Sequence, residues 1–128
     1  MSMKDTEKRI LIVDDDPDIG TMLKMMLEFK NYSSVITDRA DKAKEIIGND
    51  PHSIQLILMD MLLSGVNGID VCTGLKKDPV TANIPVIMIS AHPNAREMCI
   101  DAGADDFIPK PFDMQDILSR IDNLINKT

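Results

Sequence analysis

The chain has 128 residues with 21 acidic and 14 basic side chains, a formal net charge of −7, 44% apolar residues, ten methionines and no tryptophan. That length suits one compact domain with an ordinary core. The acidic excess argues against direct binding of nucleic acid, which rests on Lys and Arg neutralising phosphates. Cys72 and Cys99 fit neither a metal spacing nor a secreted disulfide framework. No apolar run is long enough to cross a bilayer, so membrane insertion is not expected, and residues 1–9 lack the apolar segment of a secretory signal. The expected setting is the cytoplasm.

In chain order, Ile10-Leu11-Ile12-Val13 is a continuous β-rich run followed by Asp14-Asp15-Asp16-Pro17. Unbroken apolar runs suit parallel strands covered on both faces. From Pro17 the period becomes helical, with Ile19, Met22, Leu23, Met26 and Leu27 on one face and the methionines expected in the core. Asp16 is placed to cap this helix. Val35-Ile36 is a weaker strand, and Ala40, Ala43, Ile46 and Ile47 mark a short helix stopped by Gly48-Asn49-Asp50-Pro51. A strand over 54–59 ends at Asp60. A helix over 68–77 carries Val71, Cys72 and Leu75 and breaks at Asp78-Pro79. A strand over 85–89 ends at Ser90. Ala95, Met98, Cys99 and Ala102 form a helix that Gly103 can cap. Phe107-Ile108 is a short strand leading to Lys110-Pro111, and Met114 to Ile125 is a closing amphipathic helix. Five β–α units in succession predict a single α/β domain with a mostly parallel sheet between two layers of helices.

In open α/β sheets ligands bind beyond the carboxyl ends of the strands. Asp14, Asp15 and Asp16 follow the first strand, Asp60 the third, Ser90 the fourth and Lys110 the fifth. The sequence thus gathers carboxylates, a hydroxyl and an ammonium on one rim. Crowded carboxylates repel, and a hard cation such as Mg²⁺ relieves them. A carboxylate beside such an ion can attack phosphorus to form an aspartyl phosphate, with Lys110 and Ser90 offsetting charge on the phosphoryl oxygens.

These residues stand in four segments, at 10–17, 56–68, 84–91 and 103–112, that together resemble the receiver domain of a two-component response regulator of the chemotaxis-regulator type. The resemblance covers nearly the whole chain. It implies a flavodoxin-like three-layer (βα)5 fold with parallel strand order 2-1-3-4-5, and a phosphoacceptor at Asp60. It further implies a Mg²⁺ site (Mn²⁺ could substitute) at Asp14, Asp15, Asp60 and the Leu62 carbonyl, with Ser90, Lys110 and Phe107 as switch and phosphoryl contacts. Leu62 and His92 fall where the family sets the rate of dephosphorylation, and Lys110–Pro111 is a candidate cis peptide. The implied partners are a sensor histidine kinase or histidine phosphotransfer protein, an unknown output domain or target, and a second copy in a phosphorylation-linked dimer. The region around the fourth helix, fifth strand and fifth helix would carry the switch. Residues 1–128 are expected to be one receiver domain without an output domain, acting as a switch rather than a turnover enzyme.

Three positions depart from the family pattern. Ser64 replaces a usual proline, Pro93 interrupts a shortened segment before the fourth helix, and Phe107 lacks a tyrosine hydroxyl. Taken alone, each site residue has a plainer reading: the acidic run as a solvated loop, Asp60 as a turn, Lys110 as a surface lysine. Two rivals remain from other classes. Asp14-x-Asp16 also begins a haloacid-dehalogenase-type phosphatase pattern, with Asp14 as nucleophile, and a receiver-like domain can signal without phosphorylation. A flavin carrier fits least, because the aspartates would repel the phosphate its loop must cradle.

Overall fold

The computed structural model describes residues 8–63, 65–92 and 94–126. Ser64, Pro93 and most of the N-terminal segment read above (residues 1–7) lie outside the described residues. Five strands alternate with five helices: β1 (Arg9–Val13), α1 (Pro17–Phe29), β2 (Ser33–Thr37), α2 (Ala40–Asn49), β3 (Ile54–Asp60), α3 (Gly68–Lys77), β4 (Val86–Ser90), α4 (Ala95–Asp101), β5 (Asp106–Pro109) and α5 (Met114–Ile125). These five strands form one sheet whose pairings are all parallel, in the order 2-1-3-4-5. The observed strand limits differ from the apolar runs by one or two residues at an end, because ladder bonds rather than side-chain polarity set them; Asp60 and Ser90 are the last residues of β3 and β4.

Alternate residues of a strand face opposite sides of the sheet. Ile10, Ile12, Leu56, Leu58, Ile87 and Ile89 pack with α1 and α5, through Leu23, Leu27, Ile117 and Ile121. Leu11, Val13, Ile57, Met59 and Met88 pack on the other side with α2, α3 and α4, through Ala43, Ile47, Val71, Cys72 and Cys99. The central strands are therefore apolar on both faces, which explains their unbroken hydrophobic runs. Both cysteines are free and buried, and burial raises their thiols, Cys72 to about 11, so neither presents a reactive thiolate.

Helix starts follow local chemistry. Asp16 accepts the Asp18 N–H at 3.0 Å with Pro17 in the first turn, Asn67 accepts the Ile69 N–H at 2.9 Å, and Asp113 caps α5. Gly103, at φ 103°, ends α4 and lets the chain turn into β5. At the opposite end of the sheet, the Lys76 ammonium donates to the carbonyls of Ala82 and Ile84 and to Asp105, at 3.2, 2.8 and 2.8 Å. All three of its donors are used, and they tie α3 to the entries of β4 and β5. The methionine stripe needs a correction: Met26 is core, but Met22 is 47% exposed. At 3.6 residues per turn Met22 falls at the edge of the apolar arc, in an open groove with Met25, Phe112 and Met114.

Gly74 lies inside α3, and a Cβ there would meet nothing within 4 Å. Gly74→Ala is expected to stabilise the domain by roughly 0.5–1 kcal/mol, because the change restricts the unfolded chain and removes an unfavourable helix residue. Urea unfolding should show a higher midpoint with an unchanged slope.

Candidate functional site

The carboxyl ends of β1, β3, β4 and β5 converge on one side of the sheet. Asp14 directly follows β1, and its N–H donates to the Thr37 carbonyl at 3.1 Å, fixing it at the sheet edge beside β2. Asp60 closes β3, and the next N–H, of Met61, donates to the Ile89 carbonyl of β4 at 2.9 Å. Asp14 is 2% exposed, Asp60 7% and Ser90 3%. Side-chain oxygens of Asp14, Asp15 and Asp60 lie within 4.8 Å of one another. The Lys110 ammonium is 3.5 Å from Asp60 Oδ2.

This concentration of charge is held against its own electrostatics. Burial is the main reason the Asp14 and Asp60 carboxyls sit above the usual carboxylate range. Like charge adds to it: Asp60 and Asp15 act on Asp14, and Asp15 on Asp60. The Asp16 N–H favours ionised Asp14, while Lys110 and the Leu62 N–H favour ionised Asp60. One Asp14 oxygen, Oδ1, accepts the Asp16 N–H at 2.9 Å, while Oδ2 is buried with no hydrogen-bond partner among the described residues. Three clustered carboxylates with one unmet buried acceptor suit a hard, oxygen-seeking divalent cation.

Ser90 Oγ accepts the His92 N–H at 3.0 Å, which folds the chain tightly after β4. The His92 ring is engaged as well: Nδ1 accepts the Asn94 N–H at 3.2 Å, and the His92 carbonyl accepts from Ala95. His92 thus ties the turn that leads into α4, whose N-cap is Asn94. Phe107 is buried in the core layer that holds Ala95 and Cys99. The Lys110–Pro111 peptide is cis.

Sequence reasoning missed the geometry between Asp60 and α3. Leu62–Leu63 and Val66–Asn67 form a small antiparallel hairpin, with Leu62 opposite Asn67. It leaves the Leu62 side chain 66% exposed while its N–H reaches the Asp60 carboxylate. Strands of two residues leave no periodic signal to read, and only Gly65, at φ 71°, marks the turn.

A doubly wound sheet with an acidic pocket at its carboxyl edge presents its ligand chemistry beyond the strand ends. Residues 10–122 match the response regulator receiver domain, and the chain belongs to that family. It is 36% identical over 126 residues to the DNA-binding dual master transcriptional regulator RpaA of Synechocystis, covering 94% of this chain and 50% of that protein. It is 33% identical to the phosphate regulon transcriptional regulatory protein PhoB of Pseudomonas aeruginosa, covering 94% and 53%. The chain therefore spans about half the length of these curated relatives. Among solved structures, the receiver domain of NtrX from Brucella abortus superposes with a TM-score of 0.84 at 28% identity, covering 93% of this chain and 99% of that one. The signal receiver domain of a signal transduction histidine kinase from Syntrophus aciditrophicus gives 0.84 at 30%, covering 93% and 90%. Receiver domains are signalling domains of two-component systems. Among the described residues, no helix is long and apolar enough to cross a membrane.

The raised carboxyls set a pH dependence. A group whose folded pKa exceeds its unfolded value holds its proton more tightly when folded, so its contribution is full below the unfolded pKa and lost as pH rises through the folded one. Ionised Asp14 is accordingly a burden on the metal-free domain near neutrality. Asp14→Asn, which can keep the Asp16 N–H bond, is expected to raise the melting temperature in chelator at neutral pH by a few degrees, on the order of 1 kcal/mol. The gain should shrink as pH falls toward the ordinary carboxyl value of 3.8. Melting curves across that range check both statements.

Proposed function

We propose that the domain accepts a phosphoryl group on Asp60 and passes the event on as a change of surface. The observation that carries this reading is the convergence of Asp14, Asp15 and Asp60 within 4.8 Å, with Lys110 at 3.5 Å from Asp60 Oδ2. A carboxylate oxygen of Asp60 attacks phosphorus in line, the bond from phosphorus to the donor nitrogen or oxygen breaks, and the departing group leaves with that electron pair. The Leu62 N–H orients the attacking carboxylate, and Lys110 offsets charge on the equatorial oxygens. Mg²⁺ held by Asp14, Asp15, Asp60 and the Leu62 carbonyl, or Mn²⁺ in its place, would neutralise phosphoryl charge.

Ser90 and Phe107 form the readout. The Ser90 hydroxyl donates to a phosphoryl oxygen, drawing in the loop that His92 ties to α4, while Phe107 packs beneath α4 and follows its position. A dianion on Asp60 thereby biases α4, β5 and α5 between two arrangements. The donor is a sensor histidine kinase or a histidine phosphotransfer protein. An apolar groove beside the pocket fits a protein donor: it runs from Ala91, Lys110 and Phe112 across Met22 and Met25 to Phe29. The receiver controls an output domain or separate target in the cytoplasm, with a phosphorylation-linked dimer as one form of output. It does not itself contact nucleic acid. Its only catalysis is its own phosphorylation and dephosphorylation.

With Mg²⁺ and a small acyl-phosphate donor, intact-mass measurement should show one added phosphoryl group, mapped to Asp60 and lost in Asp60→Asn. Label on Asp14 with Asp60 untouched would favour phosphatase chemistry instead. The exposed Leu62 side chain offers water no hydrogen bond, and the His92 ring nitrogen Nδ1 already accepts the Asn94 N–H. The phosphorylated form is therefore long-lived. Leu62→Asn is expected to shorten its life about tenfold, a barrier change near 1.4 kcal/mol, and His92→Ala to act less. Decay of the label after donor removal measures both.

A further inference from the structure

We propose that Gly68 is a positioning residue for phosphoryl transfer: its missing side chain lets the start of α3 close on the end of β3 and so holds the Leu62 N–H on the Asp60 carboxylate. The inference rests on the reading of Asp60 as phosphoacceptor.

A Cβ at position 68 would lie 2.5 Å from the Asp60 carbonyl oxygen, 3.0 Å from the Met61 carbonyl oxygen and 3.1 Å from the Met61 Cα. All three atoms are backbone, so no side chain can swing aside to admit it. Gly68 does not occupy the left-handed region, so the requirement is for space rather than for a special backbone angle. The approach is also bonded, because the Gly68 N–H donates to the Met61 carbonyl at 2.7 Å.

Which side yields follows from how each is held. Residues 60 and 61 belong to the sheet: Asp60 pairs with Ile89, and the Met61 N–H donates to the Ile89 carbonyl at 2.9 Å. The link from the sheet to α3 is lighter: the Gly68–Met61 bond and the small hairpin, in which Leu62 pairs with Asn67 and Leu63 with Val66, join it to a helix start whose Ile69 is only partly buried against the core. A methyl group at 68 therefore pushes the hairpin outward, and Leu62 moves with it. Leu62 brings the N–H that touches the acceptor carboxylate and the carbonyl assigned above to the metal site. The site is thus sensitive to one side-chain volume on the helix behind it. Gly74, in the same helix with open space around it, carries no such constraint.

The test places Gly68→Ala in the stabilising Gly74→Ala background, so that a folded protein remains available, and compares it with Thr81→Val in that background. Thr81 Oγ bonds the Leu75 carbonyl at 2.6 Å from the loop before β4, at the far end of the sheet, and its loss lowers stability without reaching the site. Three readouts are taken: the Leu62 amide resonance in metal-free protein, Mg²⁺ affinity by calorimetry, and the rate of Asp60 labelling by acetyl phosphate. Gly68→Ala is expected to shift the Leu62 amide, weaken Mg²⁺ binding and slow labelling by about 10- to 100-fold. Thr81→Val, at comparable stability loss, should leave all three near those of the background. A Gly68→Ala protein that keeps the Leu62 resonance and labels at the background rate, or that slows only as Thr81→Val does, overturns the inference. Failure of the unmodified chain to label at Asp60 overturns instead the acceptor reading on which it rests.

Discussion

Three carboxylates held together at the edge of a dry parallel sheet form an arrangement that the folded chain must actively sustain. Asp14 and Asp60 are buried, burial raises both, and each also feels a neighbouring acidic group. Lys110 relieves Asp60 from 3.5 Å, and the Leu62 and Asp16 N–H groups supply the remaining hydrogen bonds to the pair. One Asp14 oxygen stays unmatched. A site with that deficit favours arriving positive charge.

The rest of the fold serves to hold this cluster still. The central strands are apolar on both faces, so the sheet cannot slide without exposing one layer of core or the other. Lys76 and Asp105 lock the opposite end of the sheet, where Asp105 also accepts the Val86 N–H at 2.8 Å. Arg120 joins α5 to β5 through Asp106 at 2.7 Å and the Phe107 carbonyl at 3.3 Å, and it also meets Asp116 on its own helix. The Tyr32 hydroxyl bonds Asp122, tying the end of α1 to α5, and burial with that contact raises the phenol to about 12. By contrast α4 is the shortest α-helix of the described residues, at seven residues, and His92 meets the chain at its start through one ring nitrogen and its carbonyl.

Much of this was legible in the amino-acid order, for identifiable reasons. Parallel strands buried on both faces must read as unbroken apolar runs, and a ligand rim at strand ends must place polar residues directly after them. Ile10 to Asp15, Ile54 to Asp60 and Val86 to Ser90 follow that pattern, and the strand order came from the resemblance those segments carry. The caps at Asp16 and Gly103 were legible too, because each depends on one residue and its immediate neighbours.

Tertiary structure decided what depends on distance between segments. It left Met22 exposed although its helical spacing matched Met26, since periodicity locates an apolar arc but not how much of its width is covered. It turned the His92 ring onto Asn94 and built a hairpin of two-residue strands after β3, neither of which has a periodic signal. It also brought Gly68 against the Asp60 carbonyl, an approach that no pattern of residue types encodes. By itself the sequence determined the elements, their layers and the residues gathered at one rim, because those follow from burial and local geometry. How closely Asp14, Asp60, Lys110 and the Leu62 N–H approach one another was decided only when separate strands and a helix packed together.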